Sequence, residues 1–100
     1  EDAAPVEGGD LSLEESIDYF MTGEEGPLNF QTDVSIEEAV EFYRQGFEEA
    51  GLTERTLNTV ITETTFSLVF DGHKSGQAII VQGVDLGNGS TNINIRFEDV

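Results

Sequence analysis

Five glutamates, Glu37, Glu38, Glu41, Glu48 and Glu49, sit in SIEEAVEFYRQGFEEAG over residues 35–51, with Arg44 as the only base among them. Carboxylates can hold a hard cation or pass a proton when two converge and lose part of their water. If this stretch is a helix, all five point away from its apolar side, and Arg44 can reach Glu41 and Glu48 at i−3 and i+4. That arrangement reads as a solvated face rather than a metal site or an acid–base pair. A second oxygen-rich stretch is DLGNGSTN, where Asp85, Asn88, Ser90 and Asn92 invite a calcium reading. It lacks the spacing and the closing bidentate Glu of an EF-hand loop, and its Gly, Asn and Asp are what a hairpin turn uses. Asn88-Gly89-Ser90 also matches the glycosylation acceptor pattern, a short motif of low specificity.

His73 is the only histidine. One imidazole cannot make a two-histidine metal site, and no motif positions a serine and an acid around it for nucleophilic catalysis. Beside Lys74 in a Gly-rich stretch, it reads as an exposed turn residue. Phosphate-binding glycine loops and the lipase elbow are missing, and the lack of cysteine removes thiol nucleophiles and thiolate metal sites. The expectation is therefore a protein that is not an enzyme and has no metal or cofactor.

Composition narrows the partners. The formal net charge of −17 repels nucleic-acid phosphates and anionic lipid, so no nucleic-acid binding and no membrane insertion of this chain are expected. A protein partner fits better. The longest apolar run is far short of the ~20 residues a membrane helix needs. EDAAPVEGGD, residues 1–10, is acidic and carries Pro5 and Gly8-Gly9, so it reads as a flexible segment ahead of one domain over 11–100. The chain opens at Glu1 and not at Met, which suggests a processed product or a trimmed chain and leaves open whether a signal or lipid anchor preceded it.

The elements that must carry these residues follow from periodicity. Ser35 and Glu38 form a capping box, Ile36, Ala39, Val40, Tyr43, Phe47 and Ala50 repeat at helical spacing, and Gly51 stops the helix. Beyond it the period falls to two. Thr59 to Phe70, Gln77 to Val84 and Thr91 to Glu98 read as strands of an antiparallel meander, with turns at 71–76 and 87–90. Apolar residues at both parities of 77–84 suggest a strand that is central or covered on both faces. Ser12 to Thr22 fits a helix with Ser12 and Glu15 as its capping box, and it also fits a strand. Strand is preferred, since GEEG before PLNFQT resembles a hairpin loop.

The fold expected is α+β in two layers: one main helix, about 35–50, on an antiparallel sheet of about 4–6 strands. Such a sandwich leaves one sheet face open. Thr65, Ser67, Asn92, Asn94 and Arg96 are expected on it, and Phe42 at the margin of the helix's apolar stripe. These six residues form the candidate interaction surface.

Thr32, Ser35, Glu38, Phe42-Tyr43 and Gly51, followed by alternating strands, resemble small extracytoplasmic domains of bacterial lipoproteins and secreted proteins. Those domains read roughly Thr, Ser-x-x-Glu, Phe-Tyr, Gly-Trp, and Pro5 with Gly8-Gly9 is similar to their opening. Leu52 stands where the pattern favours Trp. The family has no established activity, so the resemblance implies a fold and a location: periplasmic, cell-surface or secreted. Taken together, the sequence points to a noncatalytic accessory or binding module of unknown ligand. Two alternatives use the charge differently: an acidic protein that imitates nucleic acid to occupy a basic partner's site, or an acidic surface adapted to salt.

Overall fold

A computed structural model describes residues 13–22, 26–74, 76–87 and 89–99. The acidic segment 1–10 lies outside them. The order of elements is α1 (Leu13–Met21), β1 (Leu28–Thr32), α2 (Ile36–Glu49), β2 (Thr53–Glu54), a short 3₁₀ turn (Thr56–Asn58), β3 (Val60–Ile61), β4 (Thr65–Asp71), β5 (Ala78–Asp85) and β6 (Thr91–Glu98). The strands form one antiparallel sheet in the order β1-β6-β5-β4-β2, with β3 also on β4. The α+β class is as expected.

The α2 helix begins as its sequence requires. Ser35 Oγ accepts from the Glu38 amide and Glu38 Oε1 accepts from the Ser35 amide, both at 3.0 Å. Ile36, Ala39, Val40, Tyr43 and Phe47 are buried. At the far end Gly51 takes a positive φ of 97°, the Gly51 amide donates to the Glu48 carbonyl and the Leu52 amide to the Phe47 carbonyl. This is a Schellman closure, in which the residue after the glycine turns back onto the core. Leu52, at the position where the resembled pattern has Trp, is buried there.

Residues 12–22, preferred as a strand, form α1 over Leu13–Met21, so there is no hairpin between this segment and β1. Leu13, Ile17 and Phe20 fall at i, i+4 and i+7 and bury on the helix-facing side of the sheet. Ser16, on the same stripe, explains why a polar residue is tolerated. Its hydroxyl donates to the Leu13 carbonyl at 2.6 Å and accepts from the Tyr43 hydroxyl at 2.7 Å, which ties α1 to α2. Burial pushes the Tyr43 phenol well above its ordinary pKa, in keeping with a hydroxyl that donates to Ser16. Local β-propensity in IDYFMT was outweighed by this packing.

The single strand expected over 59–70 is a hairpin. Thr62 turns the chain by bonding to residues ahead of it: its Oγ1 accepts from the Thr64 and Thr65 amides, and its amide donates to the Thr65 carbonyl. Val60 and Ile61 therefore fold back onto Ser67 and Phe66. The central strand is β5, as expected. Its Ile79 and Val81 face the helices, while Ala78 and Ile80 join Val69 in a small buried cluster on the other face.

Candidate functional site

The outer face of the sheet carries the residues expected on it. Cross-strand rows place Ser67, Gln82, Asn94 and Asn29 in one line, Thr65, Val84, Asn92 and Gln31 in the next, and Val69, Ile80 and Arg96 in a third. Much of their hydrogen-bonding capacity is used within the face. Asn92 Nδ2 donates to Asn29 Oδ1 at 2.9 Å, and Arg96 donates to Gln82, Asn94 and Glu98. Among the described residues its two carboxylates are each paired: Glu98 with Arg96 at 2.6 Å and Asp71 with Arg55 at 2.7 Å. This face is thus close to neutral in a very acidic chain, and the Val69, Ala78 and Ile80 cluster lies between its two ion pairs. Phe42 is apart from the other five. It sits on α2, 38% exposed, edge-on to Tyr43, beside a groove of about 550 Å³ between the two helices that Ile17, Met21 and Gly46 also line.

The helix glutamates Glu37, Glu38, Glu41, Glu48 and Glu49 are exposed, as expected of a solvated face. Arg44 does not make its pair with them. It reaches across to Glu54 on β2, with Nε to Oε1 at 2.8 Å and Nη2 to Oε2 at 3.1 Å, because Glu54 is held in place by the sheet and is only 6% exposed. Thr59 Oγ1 also donates to Glu54. A fixed, mostly dry carboxylate offers a better bidentate partner than mobile surface ones.

The Arg44 guanidinium holds the Glu54 carboxyl below the usual carboxylate range despite its burial. A depressed folded pKa gives stability that is present above the unfolded value of about 4.3 and lost as pH falls through the folded one. Glu54→Gln is expected to lower stability by about 1.5 kcal/mol at neutral pH. Urea melts of the two proteins should show that difference shrinking as pH falls below about 4. Relief of the shared surface repulsion affects both proteins alike and cancels. A difference independent of pH would refute the assignment.

His73 is not the exposed turn residue its neighbours suggest. It is 6% exposed, with Nε2 3.0 Å from the Phe20 carbonyl and its ring 4.8 Å from that of Phe97. It fastens the β4–β5 turn to the last turn of α1. The loop residues considered for calcium act as turn chemistry: Asp85 Oδ1 accepts from the Gly87 amide at 2.8 Å, and Ser90 Oγ donates to Asp33. Asn88 lies outside the described residues. Among the described residues no three acids or histidines are grouped to hold a metal ion.

The feature that sequence reasoning missed is one corner of the sandwich. Six large apolar side chains are exposed among the described residues: Phe42 stands on α2, Val60, Ile61, Val84 and Leu86 flank the start of β4, and Leu57 lies in the 3₁₀ turn that leads into β3. Val60 and Val84 lie on the outer face, opposite Ser67 and Thr65. Ile61 turns to the helix side with Phe66, Leu86 opens the β5–β6 hairpin, and Leu57, 97% exposed, projects from the 3₁₀ turn. Ile61 also borders a cleft of about 1160 Å³ between the start of α2, the β3–β4 turn and the β5–β6 hairpin. Val34, Ile36 and Val40 provide its apolar side, and Glu37, Glu41, Glu63 and Asp85 line it with carboxylates. The hairpin is pinned to the approach to α2 by Thr91 Oγ1, which donates to the Val34 carbonyl at 2.6 Å. The cleft's walls are therefore tied together by the fold.

The chain matches no family model, no curated protein and no solved structure in the comparisons made. No described helix is long and apolar enough to cross a membrane.

Proposed function

We propose that this domain is a noncatalytic, extracytoplasmic binding module that engages a protein partner through its apolar corner. One observation carries the reading: Val60, Ile61, Val84 and Leu86 are exposed around the start of β4, and Leu57 just ahead of β3, on a chain with twenty-one carboxylates. Clustered apolar surface costs solubility, and its concentration at one place is the usual mark of an interaction site. The outer face, with Thr65, Ser67, Asn92, Asn94 and Arg96, adjoins this corner through Val60 and Val84 and would form the neutral flank of the contact. Placement outside the cytoplasm is supported by the Thr, Ser-x-x-Glu, Phe-Tyr, Gly pattern.

Imitation of nucleic acid is the weaker reading. A phosphate mimic needs rows of carboxylates and has no use for five exposed aliphatic side chains beside them. Location is tested by fractionating cells that make the full-length precursor. The proposal expects the protein in the periplasmic, envelope or culture fraction, and a cytosolic pool would defeat it.

A further inference from the structure

The partner's chemistry can be read from the same corner, and this inference rests on the binding-module reading above. We infer that the cleft and the apolar edge beside it take a basic polypeptide segment, with an aliphatic side chain seated on Ile61 and lysines or arginines directed at Glu37, Glu41, Glu63 and Asp85.

Three observations fix that occupant. The cleft joins an apolar wall to six exposed carboxylates, with Asp33 and Glu38 beside the four named, and Arg44, the one basic residue among the described residues that line it, is already committed to Glu54. Its field is therefore negative where the apolar contact must form, which favours a cationic occupant and speeds its approach. The apolar surface does not stop at the cleft. Beyond Ile61 on the helix side, Val60 on the outer side and Leu57 in the 3₁₀ turn are also exposed along an edge of the sheet where, among the described residues, β3 pairs only with β4, a shape suited to an extended chain rather than a compact ion. A second copy of this protein is disfavoured, because it would bring the same carboxylates against themselves.

The probe is a short synthetic peptide alternating lysine with valine, dye-labelled and titrated at physiological salt, where the Debye length is about 8 Å. A lysine–serine peptide supplies the charge alone, and a glutamate–valine peptide the apolar side chains alone. The lysine–valine peptide should bind about tenfold tighter than the lysine–serine one, the effect of burying one aliphatic side chain. In ¹⁵N-labelled protein its amide shifts should centre on residues 36–41, 61–64 and 84–87. Ile61→Ser should abolish the advantage over lysine–serine, and Glu41→Gln with Glu63→Gln should weaken binding about tenfold, roughly the loss expected from two charge pairs. Glu14→Gln with Asp18→Gln removes the same charge from α1 and should leave binding unchanged.

Equal weakening by the two double variants would mean diffuse attraction to an acidic protein and would overturn the inference. Tighter binding of the glutamate–valine peptide at the corner would also overturn it, while leaving the corner a binding surface. Silence of the corner amides with all three peptides would remove both this inference and the reading it rests on.

Discussion

Phe47→Ala is expected to lower the unfolding free energy by about 4 kcal/mol, read as a shift in the urea midpoint with little change in slope. Phe47 is fully buried between helix and sheet, with its ring stacked 6.0 Å from Tyr43 and tilted against Phe70 on β4 at 4.9 Å. Alanine removes the ring's transfer free energy and leaves a cavity that Tyr43 cannot fill, since its hydroxyl is held by Ser16. A domain of this kind has about 5–15 kcal/mol in total, so one side chain accounts for a large part of the margin. Phe42→Ala, one helical position from Tyr43 and partly exposed, is the control and should cost less than about 1 kcal/mol. Comparable losses at 42 and 47 would mean that α2 packs by a different face.

The second large effect separates two glycines that look alike in the sequence. At Gly83 on β5 an added Cβ would lie 2.2 Å from Cε2 of Phe66, with Cδ2 and Cζ also inside 3.0 Å. That ring is buried and lies across the glycine from its cross-strand position, so it has nowhere to go. Gly83→Ala should cost about 3 kcal/mol through overpacking. At Gly46 on α2 the clash is with one atom, Cδ1 of Ile17 at 2.3 Å, and the next nearest is 3.7 Å away. A terminal methyl can rotate aside, and alanine gains about 1 kcal/mol of helix propensity over glycine. Gly46→Ala should therefore stay within about 1 kcal/mol of the parent in either direction. Thermal melts of the two variants side by side decide the matter, and a ranking in the opposite order would overturn the packing described for both sites.

These residues also show what could be read beforehand. The α2 helix was legible because Ser35, Glu38, the apolar stripe and Gly51 all specify one structure locally. β6 was legible because Ile93, Ile95 and Phe97 alternate with polar residues that face water on the outer side. The outer face followed from that parity, including Asn92, Asn94 and Arg96. Errors arose where a distant contact decided. α1 depends on Tyr43 to satisfy Ser16, and His73 is buried because the Phe20 carbonyl and the Phe97 ring lie above it in the folded chain. The apolar corner was invisible for a related reason. Val60 and Ile61 carry the same letters as core strand residues, and only the turn at Thr62 shows that they double back to an edge. The turn's signal was present in the run of threonines, whose hydroxyls can replace ladder hydrogen bonds.

The pairing of β1 with β6 sets an order on how this chain can be assembled. Leu28 meets Ile95 and Thr32 meets Thr91, so the first strand has no place in the sheet until the sixth has been made. β4, β5 and β6 join through short hairpins and can zip up locally, whereas β1 and the α1 helix ahead of it must wait. A ribosome-bound chain stopped before Thr91 would hold Leu28 and Phe30 without the strand they pack beside. Such a nascent chain stays open to chaperones and proteases until β6 has emerged, and closure of the domain waits on that strand.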